Sequence, residues 1–418
     1  MALHGDGGMK RWVVALMGTL LQVVLGTVYA WSYFQKLIVT GYGWTNVQVM
    51  WIFSIAICSL GLAAAGGGLL MAKAGPRRLA LAGALLYGVG YLLGGWALSL
   101  RCLPLLYAGF GVIGGIGLGL GYVTPVATAA RWFPEKKGFI TGMVIMGFGL
   151  GALLMSKVIA PLLMTSFGGN LVHVFWCTGG ILLAIGLPAA AFLHNPPCLP
   201  SVPVVPAQAA VPDFAHAGHA LLSGRFARMW LLLFLNTSAG IMFISLQSPM
   251  LQDLLQRGGS TLDAAALAAM GATLIGVSSL FNGIGRFFWG GVSDKIGRTN
   301  AFRLIFATQL VVFMALVWTV NPWLFGGLVC YVMLCYGGGF GTMPSYVADS
   351  FGSGMMPVVY GTILTGWSMA GIAGPQLAAF LRDRFGAAAP TWTYGAGALL
   401  LLAGLLISLT LSDPAKAE

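Results

Sequence analysis

The sequence is short of charge. Only 7% of its 418 residues are Asp, Glu, Lys or Arg, whereas a water-facing surface needs roughly 25–35%. Acids are scarcer still, 10 against 21 Lys and Arg. All of them (Asp6, Glu135, Asp213, Asp253, Asp263, Asp294, Asp349, Asp383, Asp413 and Glu418) fall in predicted loops or at helix ends, so no carboxylate stands midway along an apolar stretch to carry a proton. The histidines, His4, His173, His194, His216 and His219, lie in termini, loops or helix ends, and no HExxH pattern occurs. An enzyme working within apolar helices would need a nucleophile and base or metal ligands there, and neither is present. Six cysteines, Cys58, Cys102, Cys177, Cys198, Cys330 and Cys335, show neither metal spacing nor a disulfide framework. No metal and no cofactor is expected.

What is abundant is apolar: 58% of residues are hydrophobic, and the lipid bilayer must be the solvent. A spanning helix needs about 20 mostly apolar residues. The chain divides into twelve such stretches, from Trp12 to Phe34 at one end to Thr391 to Leu411 at the other, which predicts an all-α membrane protein of twelve transmembrane helices. The first is too long for a signal-peptide core and lacks a convincing cleavage site, so it reads as helix one. Orientation follows from Lys and Arg. With the N-terminus (Lys10, Arg11) inside, the inner loops hold Lys73, Arg77, Arg78, Arg131, Lys136, Lys137, Arg225, Arg228, Lys295, Arg298 and Arg303, and Lys416 follows at the tail. The outer loops hold only Lys36, Arg101, Arg257, Arg382 and Arg384. Both termini are therefore expected in the cytoplasm and the chain in the plasma membrane, of bacterial inner-membrane type. The net charge of +11 is spread over separate loops with no basic stripe, which argues against nucleic acid as a partner.

One long interruption, rich in Pro and Ala, separates two halves and reads as a cytoplasmic linker. The expected division is a six-helix bundle over 1–195, a linker over 196–222 and a second six-helix bundle over 223–418. A shift of about 223 residues superimposes Gly67 and Gly68 on Gly290 and Gly291, Pro134 on Pro357 and Gly138 on Gly361, as two parallel repeats would. Glycines concentrate in the fourth helix (Gly109 to Gly121), the fifth (Gly142, Gly147, Gly149, Gly151) and the tenth (Gly337, Gly338, Gly339, Gly341). Taken singly each fits close helix packing in lipid. Together they suggest faces that slide or rock.

After helix eight, Gly290-Gly291-Val292-Ser293-Asp294-Lys295-Ile296-Gly297-Arg298 resembles the cytoplasmic loop motif of the major facilitator superfamily. An acid at a helix end can meet basic groups and a helix N-terminus and so latch one conformation shut, which makes Asp294 and Arg298 candidates for a conformational latch. The matching stretch of the first half, Ala72-Lys73-Ala74-Gly75-Pro76-Arg77-Arg78, lacks the acid. The stretch Ala130-Arg131-Trp132-Phe133-Pro134-Glu135-Lys136-Lys137-Gly138 looks like the loop between helices four and five in the oxalate:formate antiporter and monocarboxylate transporter families. So does Leu280-Phe281-Asn282-Gly283-Ile284-Gly285-Arg286-Phe287-Phe288-Trp289-Gly290 in helix eight. With similar patterns in helices one, four and ten the resemblance covers most of the chain, and it is most like that of bacterial monocarboxylate (lactate) transporters. It implies the major facilitator fold and a secondary transporter, not an enzyme.

Arg286 lies eight positions before Asp294, about 12 Å inside the cytoplasmic helix end at ~1.5 Å per residue. An intramembrane Arg usually faces a cavity on a substrate path, and its guanidinium fork suits a carboxylate; the alternative is a side chain snorkelling to the interface. Asn282 is one turn away on the same face, and the resemblance likewise places the anion site at this Arg. The resemblance also implies pocket aromatics at Tyr29, Tyr122 and Tyr336, each of which fits an interfacial or packing aromatic equally well. Phe148 and Phe340 stand where an oxalate carrier shows tyrosines. Relatives that move the oxalate dianion carry a Lys in helix eleven where this chain has Trp367, the residue that would set valence selectivity: one Arg balances one carboxylate, and a second buried charge would go unpaired.

These features imply transport of a small monocarboxylate such as L-lactate or pyruvate by alternating access, with a proton as the co-transported partner. Exchange of carboxylates in the oxalate:formate manner is the alternative, and a non-transporting receptor with this fold stays open. Animal-type relatives pair an Asp with the Arg of helix eight, but here that place is Asn282. Two proton-coupling candidates remain, Asp253 at the outer end of helix seven and Lys157 in helix five, the latter if buried without a partner. Each also fits an interfacial anchor. A proton could otherwise travel with the carboxylate itself.

Overall fold

A backbone in hydrocarbon has to satisfy its own hydrogen bonds, and a chain this apolar does so as helix. The computed structural model describes residues 6–196 and 214–413. Most of the expected linker (197–213), Cys198, Lys416 and Glu418 lie outside the described residues, as do the side chains of Lys36, Arg382 and Asp383. The first part contains α1 (Asp6–Gly26), α2 (Trp31–Tyr42), α3 (Asn46–Ser99), α4 (Leu103–Leu106), α5 (Gly115–Trp132), α6 (Lys137–Leu154), α7 (Ala160–Ser166) and α8 (Leu171–Ala191). The second contains α9 (Phe214–Leu221), α10 (Gly224–Arg257), α11 (Ala264–Ile296), α12 (Arg298–Val317), α13 (Pro322–Phe351), α14 (Met356–Phe385) and α15 (Ala389–Leu409).

Among the described residues, nine helical stretches are long and apolar enough to cross a membrane, against twelve expected. One of them, Val47–Ser99, runs for 53 residues, and Gly75 breaks it with φ 76° and ψ 162°. Helices α11 and α14, not among the nine, run for 33 and 30 residues. Gly297, between α11 and α12, adopts nearly the same conformation as Gly75 (φ 91°, ψ 153°), a backbone region open to glycine. The two glycines stand 222 residues apart, so the repeat seen in the sequence turns the chain with the same device twice.

Polar side chains start the long helices where the chain leaves a turn. Thr45 and Gln48 form a reciprocal capping box on α3, and Asn170, Ser223, Asp263 and Asn321 cap α8, α10, α11 and α13, satisfying N–H groups that the helix leaves open. α1 tightens into a 3₁₀ turn over Thr27–Ala30, and π-helical turns occupy Tyr107–Gly114 and Met155–Ile159. Within the first part α3 packs on α5 and α8, and α1 on α6; within the second α11 packs on α13, and α12 on α15. The two parts meet where α6 crosses α11 and α3 crosses α14. Leu16, Leu62, Leu154, Leu162, Val311 and Leu399 point outward and exposed, the apolar belt that lipid requires and water would penalise.

Candidate functional site

Arg286 sits at the crossing of α6, α11 and α13 and is fully buried, at 0% exposure. It does not snorkel. A Cβ on Gly142 of α6 or on Gly341 of α13 would meet the carbonyl of Arg286, and one on Gly149 would meet the backbone of Gly283. These glycines let three helix backbones close around the arginine, much as small residues do at membrane helix contacts generally.

The guanidinium is partly satisfied. Nε donates to Asn282 Oδ1 at 3.2 Å and Nη1 to the Tyr122 hydroxyl at 3.1 Å. The faces of Phe340 and Phe148 lie 4.8 and 5.2 Å from Cζ, an arrangement that stabilises a desolvated cation. Nη2 is buried without a hydrogen-bond partner, and among the described residues no carboxylate pairs with this arginine. A cation buried to this degree is costly while unpaired, and an anionic ligand with acceptor oxygens would supply both the counter-charge and the missing partner.

Trp367 of α14 completes the enclosure. Its ring meets Phe340, Tyr122, Phe148 and Tyr29 at centroid distances of 4.8, 5.5, 5.8 and 5.9 Å. Tyr29, in the 3₁₀ turn after α1, shares a 2.8 Å hydrogen bond with Tyr336 of α13, joining the two parts of the chain directly. Tyr336 precedes Gly341 by five residues, so this pair lies about 7 Å further along α13, on the side of Arg286 away from Asp294. The structure thus gathers Arg286, Asn282, Tyr122, Tyr336, Tyr29 and Trp367 into one buried cluster. It adds Tyr360, whose hydroxyl lies beside that of Tyr122 without meeting it, or any other group, in a regular hydrogen bond. In the sequence Tyr360 is simply a tyrosine near a helix start, where an interfacial aromatic is the ordinary explanation.

Asp294 lies at the far end of α11, in a second polar cluster. Its carboxylate accepts the N–H groups of Gly138 and Phe139 at 3.2 and 2.9 Å, at the start of α6, where the helix dipole favours an anion. Arg298 pairs with it at 2.6 Å and reaches Asp349 of α13 at 2.9 Å. Lys137 meets the other oxygen of Asp349 at 3.3 Å. Lys137 stands in the loop motif after the fourth helix with no latch role legible there, Asp349 stands in no motif, and only the fold brings position 349 back to position 137. Between this cluster and Arg286, the hydroxyls of Thr141 and Ser345 bond at 3.1 Å across α6 and α13. At the related crossing, Gly361 of α14 abuts the backbone of Ala64 and Gly68 that of Pro357; the first-half stretch that would match Asp294 has no acid.

Neither proton-coupling candidate belongs to the buried cluster. The structure exposes Lys157 on the Met155–Ile159 turn, its stem near Gly276. Asp253 is exposed at the rim of a cleft of about 290 Å³ that Arg257 and Tyr394 also line.

Residues 12–375 match the model of the Major Facilitator Superfamily. The oxalate:formate antiporter of Oxalobacter formigenes is 29% identical over 386 residues, covering 90% of this chain and 86% of that protein. Apicoplast pyruvate carrier 1 of Toxoplasma gondii is 26% identical, covering 96% and 88%. Monocarboxylate transporter 13 of Bos taurus is 28% identical, covering 97% and 90%. Among solved structures, the fucose:proton symporter of E. coli superimposes with a TM-score of 0.69 at 16% identity, covering 95% of this chain and 98% of that one.

Proposed function

The chain belongs to the Major Facilitator Superfamily and is a transporter of the multi-pass membrane class, and from that premise we propose that its cargo is a small monocarboxylate, lactate, pyruvate or a close analogue. The observation that carries the reading is Arg286: a fully buried cation with one unpaired nitrogen, Nη2, bordered by aromatic rings and, among the described residues, with no carboxylate paired to it. The names of the relatives, an oxalate:formate antiporter, a pyruvate carrier and a monocarboxylate transporter, support a carboxylate. The single cation and Trp367 in place of a second one support a monoanion over a dianion.

The topology that goes with this reading has twelve membrane helices in two bundles, 1–195 and 223–418, with both termini on the Lys- and Arg-rich face of a bacterial-type plasma membrane. Alternating access then opens the Arg286 site to each side in turn. The Tyr29–Tyr336 pair shuts the outer side, and the Asp294, Arg298, Asp349 and Lys137 cluster latches the inner one. Among the described residues no carboxylate is buried to take a proton near the site, so in this reading the proton of a symport travels with the carboxylate as Arg286 gains and loses its counter-charge. Exchange of two carboxylates is the second reading, favoured by the oxalate:formate antiporter among the relatives.

Binding of labelled lactate to the purified protein tests the site. Arg286→Gln is expected to abolish saturable binding, since a buried anion without its partner loses on the order of 3–5 kcal/mol. Saturable lactate binding by a folded Arg286→Gln protein contradicts the assignment.

A further inference from the structure

Three side-chain atoms of the central cluster are buried without a hydrogen-bond partner: Arg286 Nη2, the Tyr360 hydroxyl and Trp367 Nε1. Their residues are all at 0% exposure. Buried polar groups in proteins are overwhelmingly paired, and a buried donor left open has lost its water for nothing. All three can donate, so what they require in common is a ligand with acceptor atoms.

Their placement sorts the acceptors. Nη2 belongs to the guanidinium held by Asn282 and Tyr122, and the Tyr360 hydroxyl lies beside Tyr122 on the side of the same arginine. Those two donors suit the two oxygens of one carboxylate. Trp367 Nε1 comes near the Tyr336 hydroxyl without forming a regular hydrogen bond to it. Indole and guanidinium meet the same two rings, Phe148 and Phe340, which brings their open donors into one neighbourhood. A carboxylate whose two oxygens are taken by Arg286 and Tyr360 leaves Nε1 open. An oxygen on the adjacent carbon offers it an acceptor.

Resting on the monocarboxylate reading of this site, we propose that Trp367 and Tyr360 are specificity-determining donors: Tyr360 shares the carboxylate with Arg286, and Trp367 Nε1 binds the oxygen at C2 of a 2-hydroxy or 2-oxo acid. Trp367 then has a positive role beyond the cation it replaces. Acetate and propionate, which lack the C2 oxygen, leave the indole N–H buried and open, and a site built to pair such a group discriminates against ligands that cannot.

The test measures competition of lactate, pyruvate and propionate against labelled lactate, using the full chain in detergent or nanodiscs, as parent, Trp367→Phe, Tyr360→Phe and Arg286→Gln. The parent is expected to bind lactate and pyruvate about tenfold or more tighter than propionate, the size of one well-made hydrogen bond. Trp367→Phe should erase that ratio by weakening the two oxygenated acids about tenfold while propionate moves less than about twofold. Tyr360→Phe should weaken all three alike. Trp367→His, which keeps a ring N–H, should recover part of the ratio. Equal parent affinities for lactate and propionate overturn the proposal whether or not the variants fold, as does an unchanged ratio in a folded Trp367→Phe protein. If in either case Arg286→Gln still abolishes binding of all three, the monocarboxylate reading stands and only this inference falls; a parent that binds none of them overturns both.

Discussion

At the scale of single residues the proposed selection of a monoanion turns on what surrounds one arginine. Trp367→Lys is expected to weaken lactate binding and let oxalate compete, because a second cation then faces the space beside Arg286. Trp367→Gln controls for the lost ring, whose removal opens a cavity. Oxalate competing in the Lys variant but not in the Gln variant or the parent is the expected pattern; a folded Lys variant with unchanged selectivity contradicts the charge count. Much of this cluster is legible in sequence. Asn282 and Arg286 are four residues apart and therefore share a helix face, and an arginine in so apolar a helix is conspicuous. Phe148 and Phe340 read only as apolar walls, because a ring face over a cation depends on how α6 and α13 cross α11. Tyr360 was not legible at all. Its importance comes from an unpaired hydroxyl, which no spacing reveals. Lys157 shows the converse, since its surroundings look apolar in sequence while its side chain is exposed.

Helix crossings decide how the site closes. Asp294 caps α6 while bonded to Arg298, so Asp294→Asn removes charge from both contacts at once. Turnover should fall far more than lactate affinity, and a variant that loses affinity with unchanged turnover per bound substrate contradicts the latch. The glycines at the crossings make a separate prediction. A methyl at position 341 would overlap the carbonyl of Arg286, and overpacking of that kind costs about 1–3 kcal/mol. Gly341→Ala is expected to lower the Tm of the detergent-solubilised protein, and an unchanged Tm contradicts the close crossing. In sequence the motif around Asp294 announces an acid at a helix end but not its partners. Asp349 lies 55 residues further on, and only the path of α13 returns it to Arg298 and Lys137. The 3₁₀ turn that aims Tyr29 and the π turns at Tyr107–Gly114 and Met155–Ile159 left no pattern in the hydropathy, which reports the face a residue takes and not the winding of the backbone.

For the whole molecule, the paired glycine turns at Gly75 and Gly297 and the two crossings of α6 on α11 and α3 on α14 are what a repeated architecture provides: a site between two parts that can rock about it. The two related glycine turns were readable from the offset of about 223 residues, whereas the energy source was not, because the sequence sets no carboxylate midway along an apolar stretch. Symport and exchange therefore separate only in vesicles. With acid outside, the parent should accumulate lactate above the level in Arg286→Gln vesicles, which report passive entry of the free acid; rates indifferent to the gradient but stimulated by internal lactate would favour exchange. The central claim, that Arg286 holds a monocarboxylate cargo, is tested most directly by counterflow of labelled lactate into proteoliposomes preloaded with unlabelled lactate. The account predicts rapid uptake by the parent, competed by pyruvate but not by oxalate, and none by a folded Arg286→Gln protein. Uptake that survives Arg286→Gln, or a parent that exchanges oxalate and ignores lactate, would contradict it.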